Sequence, residues 1–315
     1  LLFVTTVTTL SLDDSLSVPF LVKAANNRIL AIFRVGGGIY KYKISNDGGE
    51  NWGIARYLKL FNGIAVESQL KITSAIYNGG NEIILAISQN QNSIGFSKST
   101  DNGNSFSEYQ ILTTGGFCNA TLLPAGNGDI LLACQEKNVA NRKIMLMKYS
   151  AASGQWRDTT TAFTAVEEIR NPKFYKDSQG NLHIFYRQVK YTIGRFRNSD
   201  FFRITSSDNG VNWQTPVQLT RYAGDDANLN TNPQSVLPVI VFSSLRSSPT
   251  GKVKIWWGNG LTMGDNAAPP VIYSTKMLPA VPSLGDSIFF LVYAGYHLQG
   301  LNGKIRGTLN EVPVE

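Results

Sequence analysis

Short apolar runs recur along this chain, and each follows a polar turn rich in Gly, Asn or Asp. Runs of this length and composition are typical of β-strands that are buried on both faces. Their spacings of 54, 47, 52, 71 and 34 residues indicate a repeated unit, with an irregular fifth and sixth copy. The pattern predicts that the second strands of six successive units lie at Arg28–Phe33, Glu82–Ile87, Asp129–Cys134, Asn181–Tyr186, Lys252–Trp257 and Asp286–Leu291.

A second repeat has the form Ser-x-Asp-x-Gly-x-x-aromatic. Its three copies are Ser45–Trp52, Ser99–Phe106 and Ser206–Trp213, and a degenerate copy is Ser150–Trp156. The Asp can accept hydrogen bonds from amides of its own turn, the Gly can adopt positive φ, and the aromatic residue can pack back on the sheet. We therefore expect each octet to be a stabilising hairpin turn, and we assign no catalytic role to its Asp.

Composition supports an all-β fold. Charged residues make up only 16% of the chain, and 29 Gly and 12 Pro favour turns over helices. Together with the two repeats, this predicts that residues 1–315 form a single six-bladed β-propeller domain. The Thr-rich segment 1–10 is then the strand that closes the last blade.

The octet resembles the Asp box of the sialidase-like, BNR-repeat β-propeller family. The resemblance implies that the octet joins the two outer strands of a blade, away from the active site. The segment Asn171–Arg187 resembles the sialidase segment that ends with an Arg of the carboxylate-binding triad, and Arg187 matches that Arg. Arg246 and Tyr273 fall in the order expected for the third Arg and the nucleophilic Tyr.

The chain also departs from the sialidase pattern. Ser17-Val18-Pro19 replaces the usual Arg-Ile-Pro, Asn171 replaces a Glu, and the loop 36–38 has no Asp. A conventional sialidase needs these groups. We therefore favour another carbohydrate-active enzyme on this fold, either a glycoside hydrolase or a polysaccharide lyase. A non-catalytic glycan-binding propeller, such as a lectin or adhesin, is the alternative.

In a propeller of this type, second strands end and first strands begin at one rim of the central channel. Polar and aromatic groups converging there suit a sugar. The ligand-binding candidates are Arg34, Arg187, Arg246, Asn171, Trp257, Tyr293, Tyr296 and Arg195. The catalytic candidates are Tyr273 as nucleophile, His297 as base and Glu136 as a further carboxylate.

The net charge of +7 favours an anionic partner, but the Lys and Arg residues form no basic run of the kind that binds nucleic acid. Arg34 and Arg187 end equivalent strands of the first and fourth units, which lie opposite each other in a six-bladed ring. Guanidinium groups bind carboxylate or sulfate in a planar fork. We therefore expect an acidic glycan or polysaccharide as the partner.

No stretch approaches the roughly 18 apolar residues of a membrane span. We expect a secreted, extracellular or cell-surface protein. No motif indicates a metal or cofactor site. Cys118 and Cys134 flank a predicted hairpin and fit either a disulfide or two buried thiols.

Overall fold

The computed structural model describes residues 19–35, 39–60, 70–90, 92–136, 142–191, 197–221, 226–231, 239–244, 254–259, 275–278, 289–292, 307–309 and 312–314. All regular structure within these ranges is β-strand. The all-β prediction is therefore confirmed. These ranges contain no helix of the length and apolarity that crossing a membrane requires.

Four sheets each contain four antiparallel strands. Sheet A comprises β1 (Phe20–Lys23), β2 (Ile29–Arg34), β3 (Tyr40–Ser45) and β4 (Arg56–Tyr57). Sheet B comprises β5 (Leu70–Gly79), β6 (Glu82–Gln89), β7 (Ser93–Ser99) and β8 (Gln110–Thr114). Sheet C comprises β9 (Phe117–Gly126), β10 (Asp129–Glu136), β11 (Arg142–Ser150) and β12 (Gln155–Ala165). Sheet D comprises β13 (Glu168–Lys176), β14 (Leu182–Tyr191), β15 (Arg197–Ser206) and β16 (Val217–Gln218).

The remaining strands form smaller sheets. Sheet E comprises β17 (Asp226–Thr231), β18 (Val239–Ser244) and β19 (Lys254–Asn259). Two antiparallel pairs follow, β20 (Thr275–Leu278) with β21 (Phe289–Val292) and β22 (Gly307–Leu309) with β23 (Val312–Val314). A count of six blades stays a prediction, and the segment 1–10 lies outside the described residues.

The first strands of successive sheets lie side by side in chain order: β1 contacts β5, β5 contacts β9, β9 contacts β13, and β13 contacts β17. We call these five the inner strands. Each of four hydrophobic clusters fills the space between two consecutive sheets, from A and B to D and E. The second strands are apolar almost throughout because both of their faces pack against these clusters.

The predicted second strand of the fifth unit is wrong. Sheet E has the order β17-β18-β19, so its second strand is Val239–Ser244, and the run that contains Trp257 is the third strand. Both segments are short apolar runs, and only the pairing of Val239–Ser244 with β17, which places Ser243 opposite Ala227, tells them apart. With this correction the second strands begin at intervals of 53, 47, 53, 57 and 50 residues, from Ile29 to Phe289. The first strand of sheet E begins at Asp226.

The three octets form the same turn, each between the third and fourth strands of its sheet. In the second copy, the Ser99 hydroxyl donates to Asp101 Oδ1 at 2.7 Å, and the Gly103 amide donates back to Ser99 Oγ at 2.8 Å. The first and third copies repeat both bonds within 0.1 Å. The hairpin-turn prediction is therefore confirmed.

The second octet and the degenerate copy also pack on the preceding sheet. The Phe106 ring of sheet B lies 5.6 Å from the Tyr42 ring of sheet A, measured between centroids. The Tyr42 hydroxyl donates to the Asn104 carbonyl at 2.9 Å. In sheet C, Trp156 of the degenerate copy lies 5.9 Å from Phe96 of sheet B. The octets therefore connect neighbouring sheets as well as neighbouring strands.

Candidate functional site

One polar position recurs near the end of the second strand in sheets A to E. The turn between the first and second strands has the same length in sheets A to D. The equivalent residues of the four second strands are therefore Arg34, Ser88, Gln135 and Arg187, in sheets A, B, C and D respectively. The pairing of Ser243 with Ala227 adds the equivalent residue of sheet E. We call these five residues the polar ring. Arg34 is half-buried, and the other four are at most 8% exposed.

Next to the ring, three inner strands contain a β-bulge with an Asn at positive φ. The φ angles are 52° at Asn119, 52° at Asn171 and 55° at Asn228. Asn tolerates this conformation better than most residues, and a bulge redirects side chains from the pleat. The side-chain Nδ2 of Asn119 donates to Gln135 Oε1 at 3.1 Å, and the side-chain Nδ2 of Asn228 donates to Ser243 Oγ at 3.0 Å.

The bulge of sheet D connects the ring to its neighbour. The backbone N–H of Asn171 donates to Gln135 Oε1 of sheet C at 3.3 Å. The Gln135 side chain is thus held by two Asn residues from two sheets. The structure therefore places Asn171 beside the ring, and its sugar-binding role stays a prediction.

A chain of two hydrogen bonds connects Arg187 to the next sheet. Its Nε donates to Ser199 Oγ at 2.8 Å, and the Ser199 hydroxyl donates to the backbone carbonyl of Asp226 at 2.8 Å. Ser199 and Asp226 are fully buried. Asp226 is the first residue of β17. These two hydrogen bonds, from sheet D to sheet E, fix the orientation of the Arg187 guanidinium before any ligand binds.

Arg34 ends β2 on the same side of the fold and pairs with Tyr40. The Tyr40 hydroxyl accepts a hydrogen bond from the Ile72 amide at 3.1 Å. Burial raises the pKa of Tyr40, while this bond and the charge of Arg34 oppose the rise. The guanidinium of Arg34 therefore lies close enough to act on the buried phenol.

Glu136 is the last residue of β10, immediately after ring residue Gln135. Its Oε2 atom is buried and has no hydrogen-bond partner among the described residues. The neighbouring Cys134 and Cys118 are free, buried thiols, which answers the question of a disulfide. Burial, together with Cys118 and Glu136, raises the pKa of Cys134 to about 12, so this thiol is inert.

Six predicted site residues lie outside the described part of the chain: Tyr273, His297, Arg246, Tyr293, Tyr296 and Arg195. Trp257 lies on β19, the third strand of its sheet, and not at the end of a second strand. The structure thus brings Arg34, Glu136, Asn171 and Arg187 to one rim. The roles of all the candidates stay predictions.

Sequence reasoning missed two lysines on the inner strands. Lys71 pairs with Ser88 of the polar ring, and Lys173 follows the bulge of β13. Burial and then the positive charge of Lys71 lower the pKa of Lys173 to about 8. One sequence pattern could have revealed Lys173. The three bulges align as Asn119-Ala-Thr121, Asn171-Pro-Lys173 and Asn228-Leu-Asn230, and Lys173 is the third residue of its triplet.

His183 is set apart from the ring, whereas a surface cavity begins at Gln89, the residue after ring residue Ser88. His183 lies near the start of β14, where its Nε2 is 3.1 Å from Asp177 Oδ2 and its Nδ1 is 3.0 Å from Thr205 Oγ1. Burial lowers the pKa of His183, and the ring stacks on Tyr175. A surface cavity of ≈ 710 Å³ lies on sheet B and is lined by Gln89, Asn90, Asn92, Ser93, Thr114, Gly115 and Gly116.

No protein-family model matches the sequence, and no curated protein matches it. The structure is similar to a protein of unknown function from Dyadobacter fermentans, with a TM-score of 0.60 and 12% identity over 84% of this chain and 85% of that one. It is also similar to an α-L-arabinanase from Penicillium chrysogenum in complex with arabinobiose, with a TM-score of 0.58 and 14% identity over 85% of both chains.

A third similar structure is an ulvan lyase of polysaccharide lyase family PL25, bound to GlcA(1-4)Rha3S. Its TM-score is 0.52, with 12% identity over 80% of this chain and 68% of the lyase. At these identities the likeness shows the fold alone. The chain shares the β-propeller fold of glycoside hydrolases and polysaccharide lyases.

Proposed function

We propose that this protein is a carbohydrate-active enzyme of the sialidase-like propeller type that acts on an acidic glycan, as a glycoside hydrolase or a polysaccharide lyase. The observation on which this rests is the buried guanidinium of Arg187, held by Ser199 in a ring of polar side chains. Burying a charged group is costly unless its interactions repay the cost. A pre-oriented guanidinium at the rim of a propeller is well suited to a carboxylate or sulfate.

The positions of the two ring arginines support the acidic ligand. Arg34 and Arg187 occupy the same register position in sheets A and D, which are separated by sheets B and C. In a six-bladed ring these sheets are opposite, so both side chains serve one ligand. The ulvan lyase with a similar fold binds a repeat that contains a uronic acid and a sulfate.

The catalytic residues in this proposal are Tyr273, His297 and Glu136. Glu136 supplies a carboxylate one residue beyond the ring, and the partner-free Oε2 marks it as a candidate general acid or base. Tyr273 acts as nucleophile in a hydrolase, and Tyr273 or His297 acts as base in a lyase. The proposed ligand-binding set remains Arg34, Arg187, Arg246, Asn171, Trp257, Tyr293, Tyr296 and Arg195.

The proposal includes six blades in one domain over residues 1–315, with segment 1–10 as the closing strand. The octets then correspond to the Asp boxes of BNR-repeat propellers, because they join third to fourth strands at the opposite end from the ring. A polysaccharide substrate places the protein outside the cell, secreted or at the cell surface.

The function is tested by incubating the purified protein with uronate, sulfated, sialylated and neutral arabinan polymers. Release of reducing ends reports hydrolysis, and formation of an unsaturated uronate, detected by its ultraviolet absorbance, reports elimination. We expect turnover of an acidic polymer and none of arabinan. Binding to a glycan array without any turnover supports the lectin alternative, and turnover of neutral polymers alone contradicts the acidic-glycan proposal.

A further inference from the structure

The surface cavity on sheet B lies at the same end of the fold as the polar ring. Its lining comes from the turn between β6 and β7, the turn between β8 and β9, and the strand ends beside them. Gln89 directly follows ring residue Ser88 on β6. Because a strand rises by about 3.3 Å per residue, the cavity begins less than one sugar unit from Ser88 along the strand.

Three polar side chains form a row across this end of the sheet. Gln89 of β6 pairs with Ser93 of β7, and Ser93 pairs with Thr114 of β8. Directly opposite residues of antiparallel strands extend their side chains from the same face, with Cβ atoms about 4.5–5.5 Å apart. The Ser93 hydroxyl donates to Gln89 Oε1 at 3.5 Å. The row therefore places one amide and two hydroxyls side by side.

Backbone hydrogen bonds hold the two turns together. The Asn92 N–H donates to the Gln89 carbonyl at 2.9 Å and closes the turn between β6 and β7. The Gly116 N–H donates to the Asn92 carbonyl at 2.8 Å and connects this turn to the one between β8 and β9. Both bonds involve backbone atoms alone, so a substitution of a lining side chain leaves them in place.

Two glycines keep one wall of the cavity without side chains. The φ angles are +108° at Gly115 and +91° at Gly116, a region that Gly adopts readily. A Cβ added at either residue would have no atom within 4 Å. The backbone of this wall is therefore open to a ligand placed in the cavity.

The chemistry of the lining matches an uncharged sugar. The described lining residues are Gln, Asn, Ser, Thr and Gly, and none of them carries a charge. Amides and hydroxyls offer both donors and acceptors, as the hydroxyls of a sugar do. The volume of ≈ 710 Å³ lies within the range of about 300–1,000 Å³ that is typical of small-molecule sites. A charged group in this cavity would lose part of its hydration without gaining an opposite charge.

We propose that this cavity is a subsite for an uncharged sugar unit of the polymer whose acidic unit is bound by Arg34 and Arg187. The inference rests on the proposed function for the identity of that polymer. The cavity and the ring lie at one end of the fold and differ in charge. The protein therefore favours polymers that combine neutral and acidic sugars over polymers of acidic sugars alone.

The test titrates the full chain with three neutral trisaccharides, xylotriose, cellotriose and mannotriose, by isothermal titration calorimetry. The variants are Asn90→Gly and Thr114→Val. Asn90 has a φ of 51°, so Gly removes the amide and keeps the backbone conformation. Val keeps the shape of Thr114 without its hydroxyl. We expect each variant to bind the preferred trisaccharide about fivefold more weakly, which corresponds to the loss of one hydrogen bond.

Asn81→Gly is the matched control. Asn81 also lies in a turn of sheet B at positive φ, 69°, but at the opposite end of the sheet. Its trisaccharide affinity should stay within about twofold of wild type, as for surface substitutions away from a site. Added NaCl should change the trisaccharide affinity little, because salt screens charges and the described lining has none.

The two variants lie on different segments, so the test remains decisive if one of them does not fold. A wild type that binds none of the trisaccharides, or folded variants that bind as tightly as wild type, would overturn the subsite. Trisaccharide binding that the variants weaken, together with no binding of any acidic polymer, supports the subsite and contradicts the proposed function. Turnover of an acidic polymer by a wild type that binds no trisaccharide supports the proposed function and overturns the subsite.

Discussion

Arg187 donates a 2.8 Å hydrogen bond from Nε to the hydroxyl oxygen of Ser199, a neighbour on the adjacent strand of the same sheet. Ser199 in turn donates to the carbonyl of Asp226 in sheet E. The orientation of one guanidinium is thus determined by two sheets. A substitution at Ser199 should weaken ligand binding without removing the charge.

Replacing Arg187 by Ala should weaken binding of an acidic glycan by about 2–4 kcal/mol, because truncating a buried, hydrogen-bonded charge leaves its partner unpaired. Arg187→Lys should recover only part of this loss, since an ammonium lacks the planar fork. Titration calorimetry with the preferred polymer checks both variants, and Ser199→Ala should fall between wild type and Arg187→Ala. Equal affinity of wild type and Arg187→Ala would rule out the binding role.

Glu136→Gln should lower kcat by about 10²–10⁴-fold if the carboxylate is the general acid or base. The amide keeps the size of the side chain, so polymer affinity should change little. Initial rates on the acidic polymer are the measurement, with Glu50→Gln, in an exposed turn, as control. An unchanged kcat would remove Glu136 from the catalytic set.

Gly103 places the second octet turn so close to sheet A that a larger side chain at this position should destabilise the contact between the two sheets. Its φ is +86°, and an added Cβ would lie 2.3 Å from Leu30 Cδ2 of sheet A. Gly79 has a φ of +88° and no atom within 4 Å of such a Cβ. Gly79→Ala should therefore lose about 1–2 kcal/mol of stability from the backbone alone.

Gly103→Ala should lose that amount plus about 1–3 kcal/mol for overpacking against Leu30. Urea unfolding of both variants gives the difference. The double variant Gly103→Ala with Leu30→Val should recover part of the second loss if the clash is its cause. Equal destabilisation of the two single variants would show that the turn does not press on sheet A.

Lys173 should make stability depend on pH in the alkaline range. Its pKa is about 8 in the folded chain, against an ordinary 10.5, so between these pH values the unfolded chain binds more protons than the folded one. Stability of the wild type should therefore rise with pH across this window. Lys173→Met lacks this rise, so its stability relative to wild type should fall from pH 7 to pH 10. Parallel pH profiles in urea unfolding would contradict the lowered pKa.

Deleting residues 1–10 should lower the melting temperature if this segment closes the ring. The octet aromatics of sheets B and C pack on the preceding sheet, and for Trp52 of sheet A that neighbour is the last blade of a closed ring. The deletion should shift the tryptophan fluorescence to longer wavelength, and Trp52→Phe should reduce that shift. Full stability after the deletion would assign the closing strand elsewhere.

Features that depend on local interactions could be predicted from the amino-acid sequence. Each octet turn is formed by hydrogen bonds between residues at most four positions apart, such as Asn212 to Asp208. The second strands of sheets A to D could be predicted because burial on both faces demands a continuous apolar run. The rim position of Arg34, Asn171 and Arg187 follows from this regular order.

Features that depend on pairing between distant segments could not be predicted without the folded chain. Two apolar runs in the fifth unit compete for the second-strand position, and hydrogen bonding to β17 selects Val239–Ser244. Asp226 is buried because β17 packs beside sheet D, which no local pattern in a Gly- and Asn-rich segment indicates. The side-by-side order of the inner strands β5, β9 and β13 is decided in the same way, because it depends on packing between sheets whose residues are far apart in the chain.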